Sequence, residues 1–193
     1  MPYPEKLKKS LHKHNVDESI INQIFKGHED LDDKASKRKK ISFFTQAMEK
    51  MDELMDYDTK YEIIDWCACC KSGNRDKDVK KLGKELKGKN LEEKLKALWE
   101  VPNMGKPILD EDGNIKTGIY YQGEEGFKCA CPCLHDEKIG ESISSTYCLC
   151  CAGHFRYHYQ NALGVKLKTI GVLSSPITSL GKEPCEFAFE ILE

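Results

Sequence analysis

The chain has 193 residues, 39% apolar and 32% charged, and its 30 basic and 32 acidic side chains leave a formal net charge of −2. That balance describes one folded domain, or a domain with an extension. It argues against an acidic disordered chain and against nucleic acid as a partner. No stretch approaches the ~18 apolar residues that cross a membrane, so no membrane partner is expected.

The first sixty residues read as helical. Asp17-Glu18-Ser19 opens an apolar-periodic run through Ile20, Ile21, Ile24 and Phe25, with Gly27 as its stop. A basic run from Lys34 to Lys40 reads as a solvated helix start, with a phosphate-binding patch as the alternative. Ile41, Phe43, Phe44, Ala47, Met48, Met51, Leu54 and Met55 then recur at three and four residues, the stripe of an amphipathic helix. Asp76 to Lys87 predicts a charged surface helix ending at Gly88, and Asn90 with Glu93 a capping box opening Leu91 to Trp99.

After Lys106 the period changes. Ile108-Leu109 and Ile115 to Tyr121 predict a hairpin around Asp110-Glu111-Asp112-Gly113-Asn114. The glycine of this acidic turn falls too early for a calcium loop. Phe127 to Cys133 is expected to be extended, and Tyr147 to Leu163 helical with Gly164 as a left-handed cap. Val165 to Leu173 and Cys185 to Leu192 are expected as strands, the second with Cys185, Phe187, Phe189 and Ile191 on a covered face. The expected class is α+β, a helical N-terminal part packed on a small, mostly antiparallel sheet with one long C-terminal helix. Residues 1–65 would be a helical extension and 66–193 a cysteine-rich metal-binding domain.

Nine of the ten cysteines fall in three triplets: Cys67, Cys69 and Cys70; Cys129, Cys131 and Cys133; Cys148, Cys150 and Cys151. Cys185 stands alone. The N-terminus has no apolar run of a secretory leader, so a cytoplasmic, reducing location is expected, where such clusters point to metal or redox chemistry. Cys67 with Cys70 and Cys148 with Cys151 each form a Cys-x-x-Cys pair whose thiolates share a face on a helix or tight turn. Two such pairs suffice for tetrahedral zinc with Zn–S bonds of roughly 2.3 Å. The surplus of thiols leaves a second ion, an iron–sulfur cluster or redox-active thiols open, although the spacings match neither ferredoxin pattern.

Other candidates are thinner. His154 and His158 share a helix face beside the third triplet and are candidate bases, but Phe155 stands where a zincin carries glutamate. Asp65, Glu124, Glu125, Asp136 and Glu141 flank the triplets as possible ligands or bases. No phosphate-binding glycine loop, nucleophile elbow or dinucleotide fingerprint occurs.

The segment Cys151-Ala-Gly-His-Phe-Arg-Tyr-His-Tyr-Gln-Asn-Ala-Leu-Gly164, then Val165-Lys-Leu-Lys and Gly181-Lys-Glu-Pro-Cys185-Glu-Phe187, resembles the end of the 4-vinyl reductase domain and the related L-2-amino-thiazoline-4-carboxylic acid hydrolase-like family. The resemblance spans roughly residues 145–193 and implies an α+β small-molecule-binding domain that often carries zinc. In zinc-binding members a helix cysteine, a Glu-x-x-Cys on the next strand and the last cysteine share the metal. Cys151 and Cys185 match the first and last, whereas Ser174-Ser175-Pro176-Ile177 stands in place of Glu-x-x-Cys. A rebuilt centre drawing on the other triplets is therefore expected.

The functional expectation is a cytoplasmic, cysteine-rich metal-binding protein, with zinc the expected metal, that binds a small molecule, either as a binding module or as a metal-dependent hydrolase. An iron–sulfur or thiol redox protein is the alternative, and a homodimer is compatible with either.

Overall fold

The computed structural model describes residues 3–69, 71–135, 137 and 140–192. Cys70 and Asp136 lie outside them. Six helices precede the sheet: α1 (Pro4–Lys13), α2 (Glu18–Ile24), α3 (Lys37–Leu54), α4 (Tyr57–Trp66), α5 (Gly73–Glu85) and α6 (Leu91–Leu98). Local chemistry sets most starts. Asp17, Ser36 and Asp56 each accept a backbone N–H in the first turn of α2, α3 and α4. Asn90 and Glu93 form the reciprocal capping box of α6.

A four-stranded antiparallel sheet follows, in the order β1 (Ile108–Leu109), β2 (Ile115–Ile119), β6 (Cys185–Leu192), β5 (Lys166–Ser174). Central β6 pairs Phe187 with Thr117 on one side and Val172 on the other. A small hairpin, β3 (Gln122–Gly123) and β4 (Gly126–Phe127), stands apart. A 3-10 turn over Ser145–Cys148 leads into α7 (Leu149–Leu163), which Gly164 ends in the left-handed conformation at φ 72°. The class is α+β.

Helix α7 is central. It packs on α4, α5 and α6 and also on the sheet. Cys150, Gly153, His154, Phe155, His158, Tyr159 and Ala162 are accordingly all buried, as expected of a helix covered nearly all round. On the sheet side Phe155 meets Phe187 at a centroid distance of 5.5 Å and Tyr159 meets Phe189 at 6.1 Å. Each fully buried phenylalanine contributes about 1.5–3 kcal/mol of transfer free energy. On the helical side two glycines allow close approach. A Cβ on Gly153 would strike the Asp65 carboxylate, and one on Gly83 the backbone carbonyl of Asn161. Leu7, Phe43, Met48 and Ile64 belong to the same continuous core as Phe187 and Phe189, so the helical front and the sheet share one interior.

Two expectations change in detail. The basic run begins α3 at Lys37 and is partly used inside the molecule: Lys40 is buried and donates to the Asp33 carbonyl, while Lys37 donates to the His135 carbonyl at 2.6 Å. The expected extended segment over 127–133 is a strand only at Gly126–Phe127. Beyond Cys131 the chain turns, because the Leu134 and His135 N–H groups both donate to the Cys131 carbonyl.

Candidate metal centre

Seven cysteines converge at the start of α7. Cys148 closes the 3-10 turn, and Cys150 and Cys151 lie in the first helical turn. Asp52 of α3 pins this start by accepting from the Ser144 hydroxyl at 2.5 Å, the Thr146 hydroxyl at 2.7 Å and Lys60 Nζ at 2.6 Å. Burial pushes the Asp52 carboxyl up, but these hydrogen bonds outweigh it and hold the group below its ordinary range.

Cys129, Cys131 and Cys133 arrive on a compact turn. The Cys131 N–H donates to Cys129 Sγ at 3.4 Å, and His135 Nδ1 lies 3.1 Å from the Cys129 carbonyl. Lys37 clamps this turn to α3. Cys185 enters from the first position of β6.

Electrostatic coupling identifies the set as one cluster. The Cys129 thiol feels Cys131, Cys151 and Cys185; Cys148 feels Cys151, Cys185 and Cys129; Cys150 and Cys151 both feel Cys131. All seven are thiols without a disulfide, and only Cys151 escapes full burial. Burial first, and mutual repulsion second, push Cys129, Cys148 and Cys185 above the ordinary thiol value, Cys185 to about 12.

Cys131 departs from this pattern. A hydrogen bond with the Cys133 thiol and another with the Tyr147 hydroxyl, 3.1 Å away, overcome its burial and lower it to about 6. Cys133 keeps the proton of that pair and is raised in turn. A similar pair forms at Cys150 and Cys151. Cys150 is lowered by its neighbour but raised overall by burial, and Cys151 is raised by the Cys150 contact and by burial. The first turn of a fifteen-residue helix adds positive end potential, which favours thiolates there.

The donor set suits soft, thiophilic cations. Buried thiols that repel one another as thiolates need a positive charge among them before several can ionise together. Among the described residues, no three His, Cys, Asp or Glu side chains are already arranged around a single point at metal-binding distance. The sulfurs are neighbours in their present rotamers, not a closed coordination shell.

The first triplet lies elsewhere. Cys67 caps α4, with Lys6, Ser10 and Lys71 as its electrostatic neighbours, and burial raises it to about 11. Lys6 Nζ donates to the Cys67 and Ala68 carbonyls and so ties α1 to the end of α4. Cys69 packs one helical turn further along α7, against His154. The His154 ring places Nδ1 3.1 Å from the Cys69 carbonyl, and burial lowers it to about 4, so it is a neutral donor at neutral pH. His158 is fully buried beside it, at a ring distance of 4.6 Å. Asp65 is taken up by ion pairs with Arg156 at 2.9 Å and Lys71 at 3.2 Å. Glu141 is exposed.

A cleft of about 450 Å3 opens beside the cluster, walled by Glu124, Glu125, Phe127, Cys129, Leu134 and Glu137 among others. Neither histidine lines it. Sequence reasoning did not separate Cys129 from its neighbours or find Tyr147 as a thiol partner. The Tyr147 hydroxyl lies sixteen residues from Cys131, beyond the reach of any local pattern. Among the described residues no helix is long and apolar enough to cross a membrane. No family of known proteins, curated protein or solved structure matches this chain.

Proposed function

We propose that the protein binds a thiophilic metal, zinc foremost, at the seven-cysteine cluster formed by Cys129, Cys131, Cys133, Cys148, Cys150, Cys151 and Cys185. The observation that carries this reading is the convergence of seven disulfide-free thiols, six of them buried, from three chain segments, with Cys129, Cys148 and Cys151 each raised by neighbouring thiols. Apolar packing needs no such concentration of sulfur. The Cys151 and Cys185 pair, the two positions matching the 4-vinyl reductase pattern, lies inside the set. Loading would rotate several cysteine side chains toward a common centre and release their protons.

The proposed role is binding rather than hydrolysis. His154 and His158, the histidines expected as bases, are buried on the face of α7 toward Cys69 and outside the cleft. Seven sulfurs exceed the four that one zinc takes. That excess favours a polynuclear centre and supports iron–sulfur as the second reading.

Elemental analysis with an ultraviolet–visible spectrum, on protein purified with and without air, decides between them. One or two colourless zinc ions per chain, lost when Cys131 and Cys148 are replaced by serine, are expected. Stoichiometric iron with visible absorbance would replace zinc by a cluster. Metal-free protein that takes up neither metal would overturn the proposal.

A further inference from the structure

The sheet has two faces, and α7 covers one of them. Thr117, Leu167, Phe187 and Phe189 are buried on that side. Strand alternation sends Lys116, Gly118, Lys168, Glu186, Ala188 and Glu190 to the other.

Of the nine large hydrophobic side chains exposed among the described residues, five stand on this second face: Ile108, Tyr120, Ile170, Leu173 and Leu192, between 40% and 61% exposed. Register fixes their placement. Ile108 lies opposite Lys116, and Leu192 opposite Lys166. Ile170 and Leu173 follow the inward-facing Thr169 and Val172 at the two irregularities of β5. The Tyr120 ring lies over Gly118, where a Cβ would meet it at 2.9 Å, and its hydroxyl donates to Glu186 at 2.9 Å. Single apolar residues scattered on a surface are ordinary. Five gathered on one sheet face, roughly 400 Å2 in plan at standard strand spacing, mark a contact surface.

The charges on this face choose its occupant. They form two columns of opposite sign: β5 presents Lys166 and Lys168, and neighbouring β6 presents Glu186 and Glu190. Lys168 and Glu190 are direct partners in register. Lys116 on β2 is held by Asp110 at 3.2 Å. A two-fold axis running along the strands between β5 and β6 lays the lysine strand of one copy on the glutamate strand of the other, and does so twice. The same axis sets the bulky Ile170 above the small Ala188, which pairs with Gly171. Columns of both signs suit a second copy of this face better than a partner of one sign. Glutamates in the middle of the face disfavour an anionic membrane.

We infer that this face is the interface of a symmetric homodimer in which β5 of each copy lies on β6 of the other. The inference goes beyond the metal-binding reading and does not depend on it. An interface of this size lies at the small, reversible end of the range, so the dimer should dissociate in the micromolar range.

The test is sedimentation of the full-length protein from about 1 to about 200 μM, a range that brackets such a Kd. A chelator and a thiol reductant are present, so that neither bridging metal nor disulfides join the copies. Native protein should pass from monomer to dimer across the range. Lys168→Glu and Glu190→Lys, both at exposed positions, should each weaken self-association about tenfold or more by setting like charges against each other. Mixing the two variants should restore dimers, because each then meets the opposite sign on its partner. Ile170→Asp should weaken association similarly, with circular dichroism unchanged.

Native protein that stays monomeric at the highest concentration would overturn the inference. A native dimer indifferent to all three substitutions would place the contact elsewhere and overturn it too. Variants that dissociate alone but fail to associate when mixed would overturn the proposed pairing of β5 with β6.

Discussion

Cys131 holds its thiol between two hydrogen-bonding partners, Cys133 and the Tyr147 hydroxyl, and these lower it to about 6 despite burial. Tyr147→Phe keeps the ring, which packs against Phe44 at 4.9 Å, and removes one of the two. In metal-free protein the lowest thiolate titration, read from ultraviolet thiolate absorbance, should move up by about one pH unit, the equivalent of one modest hydrogen bond. An unmoved curve would show that Cys133 alone sets the value. His154 gives a second residue-scale prediction with the opposite charge logic. Its pKa falls from 6.5 in an exposed imidazole to about 4, so the unfolded chain binds the proton more readily than the folded one. Stability from this residue is present above pH 6.5 and is lost as pH falls toward 4, to a total of about 3 kcal/mol. His154→Gln, which can still donate to the Cys69 carbonyl, should flatten that acid limb in urea unfolding.

At the scale of elements, the placement of α7 depends on side chains that are absent. Gly153 lets the Asp65 carboxylate of α4 approach, and Gly83 lets α5 lie against the Asn161 backbone. Around the first contact Asp65 binds both Arg156 and Lys71, and the Arg156 guanidinium sits 5.9 Å from the centre of the Tyr61 ring. Gly153→Ala and Gly83→Ala should each destabilise the fold by about 1–3 kcal/mol, the usual range for overpacking. Gly140→Ala, with open space around its Cβ, should change denaturation by much less and serves as the control. Loss of stability at Gly140 equal to that at Gly153 would mean that helix contact is not the cause.

For the whole molecule the buried thiols, Cys67 outside the cluster together with those inside it, dictate alkaline behaviour. Cys67 at about 11 and Cys185 at about 12, with Cys129 and Cys148 also raised, hold protons more tightly when folded than at the ordinary thiol value of 9.0. Their contribution to stability is complete below pH 9.0 and is lost as pH rises through the raised values. Metal-free protein should therefore unfold progressively above about pH 9, by roughly 1.4 kcal/mol per thiol per pH unit. Zinc bound at a thousandfold its dissociation constant should add about 4 kcal/mol and suppress the cluster's share of that alkaline limb, because bound thiolates no longer titrate freely, while the share of Cys67 remains. A chelator should restore both, as seen in thermal melts across pH. Identical melts with and without zinc would count against the metal centre.

The sequence by itself determined the elements and the chemistry of the donors. Apolar spacing marked α3, the Asn90 and Glu93 pair marked α6, Gly164 marked the end of α7, and alternation from Cys185 marked β6, all through interactions within a few residues. Three cysteine triplets were equally plain, and equally alike. Only the tertiary structure decided which of them meet. Packing α7 between α4 and the sheet brings its first turn to Cys185 and to the 129–133 turn, while Cys67 and Cys69 are carried to the end of α4 beside Lys6 and His154. That sorting depends on contacts between segments far apart in the chain, and the spacing within a triplet carries no information about them.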